Sequence, residues 1–230
     1  MTLPTPKTLL FDAVGTLMYP DPPVAAVYGR VARSRGSILG EEEIAARFGA
    51  ALAKITVPLQ LQPTSEFTER QRWQRIVADV LDDIPDQVDA AFDELWNHFA
   101  DAENWALYED VPPTLHALHK AGCTLGIASN FDGRLASIVA AMPALNELTH
   151  VFCSSEVGWS KPAPVFFQII EQRLAAGPGE LWMIGDDVAL DFTAATAAGW
   201  NAVWLDRGQA GARQGRMVNE LSALPELLAE

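Results

Sequence analysis

Apolar residues gather into five short runs along the chain: Thr8–Val14, Thr124–Asn130, His150–Val157, Leu181–Asp187 and Ala202–Arg207. Most are rich in β-branched or aromatic residues and stop at Gly, Asn or Asp, the signature of a short buried strand. Runs apolar on both faces belong to strands covered on both sides, as in a parallel sheet between helices. Helix-like spacing fills the gaps, at Leu115–Lys120 (stopping at Gly122), Gly133–Met142, Pro164–Ala176 and Asp191–Ala198. Strands alternating with helices from about residue 109 onward predict a doubly wound α/β unit.

Between the first two runs the pattern changes. From Pro22 to Trp105 the spacing is helical, and Pro22-Pro23, Pro58, Pro63 and Pro85 divide it into roughly four helices. Phe92, Leu95, Trp96 and Phe99 fall at i, i+3, i+4 and i+7, one apolar helical stripe. So long an insertion exceeds a single crossover helix and must form a small domain of its own. The expected architecture is an α/β Rossmann-like parallel-sheet core, residues 1–19 and 109–230, carrying a four-helix cap at residues 20–108.

Composition narrows the chemistry. The 230 residues carry 16 basic and 30 acidic side chains, a net charge of −14. Such a surface repels phosphate backbones, so nucleic acid is not an expected partner. No apolar run approaches the roughly 18 residues of a membrane span, and Met1–Lys7 has no apolar leader segment. Cys123 and Cys153 cannot build a disulfide framework and read as reduced, buried thiols of a cytoplasmic protein.

Polar residues cluster where the strands end. Asp12 closes the first, followed by Val14, Gly15 and Thr16; Ser129-Asn130 closes the second; Ser160-Lys161-Pro162 follows the third; Gly185-Asp186-Asp187, with Asp191, follows the fourth. A lone Asp at a strand end more often orders a turn. Four such ends, each of a different chemical type, explain one another, because open α/β sheets bind ligands there. Crowded carboxylates need a counter-charge, and all-oxygen ligands suit Mg²⁺. Lys161 adds positive charge, Ser129 and backbone N–H groups offer donors to phosphoryl oxygens, and Asp12 sits as a carboxylate nucleophile.

These four segments, in this order, resemble the motifs of the haloacid dehalogenase-like hydrolase superfamily, and the insertion matches its helical C1 cap. Ser129–Leu135, with Trp105 and Tyr108, looks most like the REG-2-like branch, of haloacid dehalogenase-like domain-containing 3 type. The resemblance implies Asp12 as nucleophile, Ser129 and Lys161 as catalytic partners, and Thr16, Ser129, Asn130 and Lys161 around a phosphoryl group. It implies Mg²⁺ held by Asp12, the Val14 carbonyl, Asp186 and Asp187, with Asp191 in support. The implied activity is a phosphatase acting on a small phosphorylated metabolite through an aspartyl-phosphate. Family phosphatases carry a second Asp, a general acid/base, where this sequence has Val14. Loss of such a group costs about 10²–10⁴-fold. Weak turnover, activated substrates or a proton donor in the cap would each fit, as would a silent phosphate-binding member or a haloacid dehalogenase. A phosphonatase would need a cap lysine for a Schiff base, and Lys54 is the insertion's only lysine.

Simpler readings cover the remaining polar groups. His116 and His119 fit a solvated helix flank. Arg70, Arg72 and Arg75 fit a solvated face with Trp73 turned inward, or a contact to substrate. Glu109-Asp110 marks the hinge strand back into the core.

Overall fold

A computed structural model describes residues 7–59, 62–208 and 216–228. Residues 1–6, expected to carry no leader, lie outside them. Six parallel strands form the main sheet: β1 (Thr8–Phe11), β4 (Thr124–Ser129), β5 (Leu148–Cys153), β6 (Leu181–Gly185), β7 (Asn201–Leu205) and β8 (Met217–Val218), in the order β5-β4-β1-β6-β7-β8. Two more strands, β2 (Met18–Pro20) and β3 (Trp105–Leu107), pair antiparallel with Met18 opposite Leu107. The side-chain alternation of each strand splits its residues between two cores. Leu9, Phe11, Ile127 and Ile184 pack on one face of the sheet, and Leu10, Ala128 and Met183 on the other. Helices α5 (Val111–Lys120) and α6 (Arg134–Ala141) contribute to the first core, and α8 (Pro164–Leu174) to the second. Gly126 admits no side chain, since a Cβ there would lie 2.8 Å from both Leu10 Cδ2 and the His150 carbonyl.

Among the described residues the inserted segment folds as four α-helices: α1 (Val24–Arg33), α2 (Glu41–Leu59), α3 (Glu66–Val80) and α4 (Val88–His98). Ser65 begins α3 with a capping box, its hydroxyl accepting from Thr68 N. Val27, Val31, Ile44, Ile76, Val80 and Phe92 form a third apolar cluster. The β2–β3 pair is the passage into and out of these helices.

The sequence pattern overran several element ends. The third run begins at Leu148 and becomes a helical turn, α7 (Ser154–Val157), closed by Gly158 at φ 87°. The first strand stops at Phe11, because the Ala13 carbonyl then accepts from both Leu17 N and Met18 N and folds the chain back. The helix expected from Asp191 starts earlier, as a π-helical turn over Val188–Thr193 that leads into α9 (Ala194–Ala197). The hinge strand is Trp105–Leu107, not Glu109-Asp110. Asp110 precedes α5 and accepts two hydrogen bonds of 3.0 Å from Arg207 and one of 2.7 Å from Leu221 N.

Candidate active site

The strand order reverses at β1: the chain moves outward through β4 and β5, then returns to β6 on the other side. The carboxyl ends of β4, β1 and β6 therefore splay apart at a switch point, and the polar strand ends meet there.

Lys161 lies at the centre. Its side chain is 1% exposed, and Nζ donates to Asp12 Oδ1 at 2.7 Å and to Asp191 Oδ1 at 2.5 Å. Burial alone would lower its pKa, but the two carboxylates outweigh it and hold the amine protonated above its usual range. Asn130 holds the Lys161 backbone from both sides: Nδ2 donates to the carbonyl at 2.9 Å, and Oδ1 accepts from N at 2.7 Å. Asp12, anchored by its N donating to Ile184 O at 2.8 Å, has Oδ1 committed to Lys161, and its Oδ2 has no hydrogen-bond partner among the described residues.

Asp186 follows β6, and its Oδ1 accepts from Thr16 Oγ1 at 2.9 Å while its N donates back to the same hydroxyl at 3.1 Å. Burial, then the nearby Asp12 charge, raises the Asp186 carboxyl above its usual range. Burial likewise pushes Asp191 up to about 7, with Asp12 adding to the rise and Lys161 opposing it. Two glycines make this crowding feasible. A Cβ on Gly15, at φ 88°, would lie 2.4 Å from Asp186 Oδ2, and one on Gly185 would lie 2.1 Å from Asp191 Oδ2.

The sequence-derived residues divide into distinct jobs. Oxygens of Asp12, Asp186 and Asp191 lie within 4.8 Å of one another. Asp187 is not in that group: its Oδ1 accepts from Ala189 N and Leu190 N and caps the π-turn. Asp191, expected only in support, takes the inner position. Thr16 and Asn130, expected on a phosphoryl group, are engaged with Asp186 and Lys161. Ser129 is buried at the end of β4, and its hydroxyl has no hydrogen-bond partner among the described residues. Val14 is 37% exposed beside Asp12, and its carbonyl accepts no hydrogen bond among the described residues. Three carboxylates facing one ammonium leave excess negative charge, and the oxygen donors Asp12, Asp186 and the Val14 carbonyl fit a hard divalent cation.

Lys54 takes no part. Its side chain is 73% exposed and pairs with Asp79 at 2.9 Å. His116 likewise meets Glu147 on an exposed flank. The arginine trio splits: Arg70 pairs with Asp93, Arg75 is exposed, and Arg72 turns inward to Glu69 at 3.4 Å.

A cavity of about 290 Å³ opens beside this centre, between the inserted helices and the sheet. Val14, Asn130, Phe131 and Arg134 line it from below, and Tyr28, Trp73 and Trp96 are among those above. Several contacts hold the two sides together. Arg134 stacks 3.5 Å over the Trp96 ring and donates to the Trp96 carbonyl at 3.1 Å, and Glu66 accepts from Gly133 N at 2.8 Å and from Ser155 Oγ. The polar strand ends were legible in sequence, whereas the chamber was not.

Comparison with known proteins matches residues 6–199 to the haloacid dehalogenase-like hydrolase family. Over 201 residues the chain is 27% identical to haloacid dehalogenase-like hydrolase domain-containing protein 3 of Mus musculus, covering 85% of this chain and 80% of that protein. That relative is of the branch suggested by Ser129–Leu135. Ribulose-1,5-bisphosphate 5-phosphatase of Halopiger xanaduensis is 28% identical over 204 residues, covering 86% of this chain and 84% of that one. The crystal structure of a 2-haloacid dehalogenase from Pseudomonas syringae pv. Tomato DC3000 shares the fold, with a TM-score of 0.65 at 22% identity, covering 98% and 99% of the two chains. The chain that carries the acid–lysine cluster at this switch point belongs to the haloacid dehalogenase-like hydrolase family.

Proposed function

We propose that this hydrolase is a Mg²⁺-dependent phosphatase of small phosphorylated metabolites, with residues 20–108 as a cap over its site. The observation that carries the reading is the surplus of carboxylate around Lys161, where Asp12, Asp186 and Asp191 converge. Asp12, Asp186 and the Val14 carbonyl would hold Mg²⁺, which supplies neutralising charge to phosphoryl oxygens. Lys161 and the Ser129 hydroxyl would steady those oxygens. Asp12 Oδ2 attacks phosphorus, the ester P–O bond breaks, and the aspartyl-phosphate formed is cleaved by water. Val14 supplies no proton, so leaving groups stable as anions should react fastest.

Val14 favours a second reading, hydrolysis of a carbon–halogen bond without metal. Asp186 weighs against it, because a carboxylate beside Asp12 would only repel the nucleophile there. Turnover of p-nitrophenyl phosphate and acetyl phosphate, with and without Mg²⁺, tests the first reading. Chloride release from 2-chloropropionate in chelator would replace it with the second. Silence in both assays would leave a binding protein.

A further inference from the structure

The chamber beside Asp12 has a composition that speaks to what it holds. Eight of its eighteen lining residues are aromatic, among them Tyr28, Phe48, Trp73, Trp96, Trp105 and Phe131. Phe48 and Trp73 stack at 21° between planes, and Tyr28 meets Phe48 edge-on with centroids 5.4 Å apart. The charged groups in the wall are already engaged. Glu69 accepts from Thr64 Oγ1 at 2.7 Å and pairs with Arg72, while Arg134 forms hydrogen bonds of 2.7 and 2.8 Å to the buried Asp132. Tyr28 is 2% exposed, and its hydroxyl has no hydrogen-bond partner among the described residues.

We infer that the chamber receives an uncharged, ring-bearing organic group, with Tyr28 the hydrogen-bonding partner for a single polar substituent on it. The inference rests on the phosphatase reading only in making that group the alcohol part of the ester. A polyol or sugar would bring several hydroxyls into a wall with few free partners, and each unpaired one weakens binding. A second carboxylate or ammonium would find its counter-charges already paired. A flat ring instead buries apolar area against aromatic faces. The volume, near the lower end for small-molecule sites, suits one ring system.

Phosphonates, which the nucleophile cannot hydrolyse, separate this inference from the chemistry. The intact protein with Mg²⁺ is titrated with 2-phenylethylphosphonate and with 2,3-dihydroxypropylphosphonate, and binding is followed by calorimetry and by tryptophan fluorescence. Trp73, Trp96 and Trp105 line the chamber, so ring binding should change the emission. The ring compound should bind at least about tenfold more tightly, the least that burying a phenyl group would give. Equal or weaker binding would overturn the inference, even if acetyl phosphate is hydrolysed. Tighter ring binding without acetyl phosphate turnover would uphold the inference and sink the phosphatase reading.

Discussion

Replacing Lys161 by Met keeps the volume of the stem and removes the ammonium that pairs with Asp12 and Asp191. Lys161 and Asp191 are both 1% exposed at the side chain and Asp12 13%, so solvent does little for the two carboxylates left behind and nothing for Asp191. Deleting one partner of a buried ion pair costs about 3–5 kcal/mol, because the other charge stays behind without compensation. The near-isosteric swap adds little cavity cost. A chain of this size loses roughly 2–4 °C of Tm per kcal/mol, so a fall of about 6–20 °C is expected in chelator. The pH dependence has a definite sign. Asp191 is already raised from 3.8 to about 7 by burial, and loss of Lys161 removes a force that opposes the rise. A carboxyl whose folded pKa lies above its unfolded value costs the fold stability while the unfolded chain is ionised and the folded group still holds its proton. That penalty is absent below pH 3.8, grows as pH rises and levels off above the raised value, so without Lys161 it keeps growing to a higher pH than in the wild type. The stability gap between wild type and Lys161→Met should therefore be wider at pH 8 than at pH 5. Urea unfolding at both values measures it. A gap under about 1 kcal/mol at pH 8, or one that widens on acidification, would refute the reasoning.

Other sites give sharper local tests. Val14→Asp should raise turnover of alkyl phosphates by about 10² or more relative to aryl phosphates; an unchanged alkyl-to-aryl rate ratio, with Mg²⁺ binding intact, would discard the missing-acid account. Gly15→Ala should destabilise the protein by more than Gly36→Ala, since both carry positive φ but only Gly15 has a side chain, Asp186, where the new Cβ would go; equal losses in urea would show that the crowding is readily relieved. Burial pushes the Cys153 thiol up to about 12, so iodoacetamide should label it far more slowly in the native protein at pH 8 than in urea. Native labelling within a few-fold of the unfolded rate would contradict that burial.

The sequence exposed the site because the strands are so thoroughly apolar. In a buried parallel sheet, Asp12, Ser129 and Asp186 stand out as polar groups that close apolar runs, with Lys161 a few residues past the third, and topology brings them together. It did not reveal which acid does what. Asp187 and Asp191 are four residues apart, and only the π-turn decides that the first caps backbone N–H groups while the second swings inward to Lys161. Thr16 and Asn130 could equally have met ligand or protein, and the structure engages both with protein. The chamber was hidden for a related reason. Phe92, Leu95, Trp96 and Phe99 have the spacing of any buried helical stripe, and periodicity cannot tell a wall facing a core from one facing a cavity. The strands β2, β3 and β8, at two or three residues, are too short to leave a pattern.

The central position of β1 sets an order of events in time. It leaves the ribosome before every other described strand, yet both of its neighbours, β4 and β6, come more than a hundred residues later. At ordinary synthesis rates, roughly 10–35 s separate the appearance of Asp12 from that of Asp186. Until β4 is made Leu9, Leu10 and Phe11 have both edges unpaired, and until β6 is made one edge, a hazard kept small by a strand of four residues. The helices of the insertion emerge next and contact mainly one another, so they can assemble while β1 waits. Asp12 is thus made well before the groups that surround it, and no shortened nascent chain that ends before β6 can carry the assembled acid–lysine cluster.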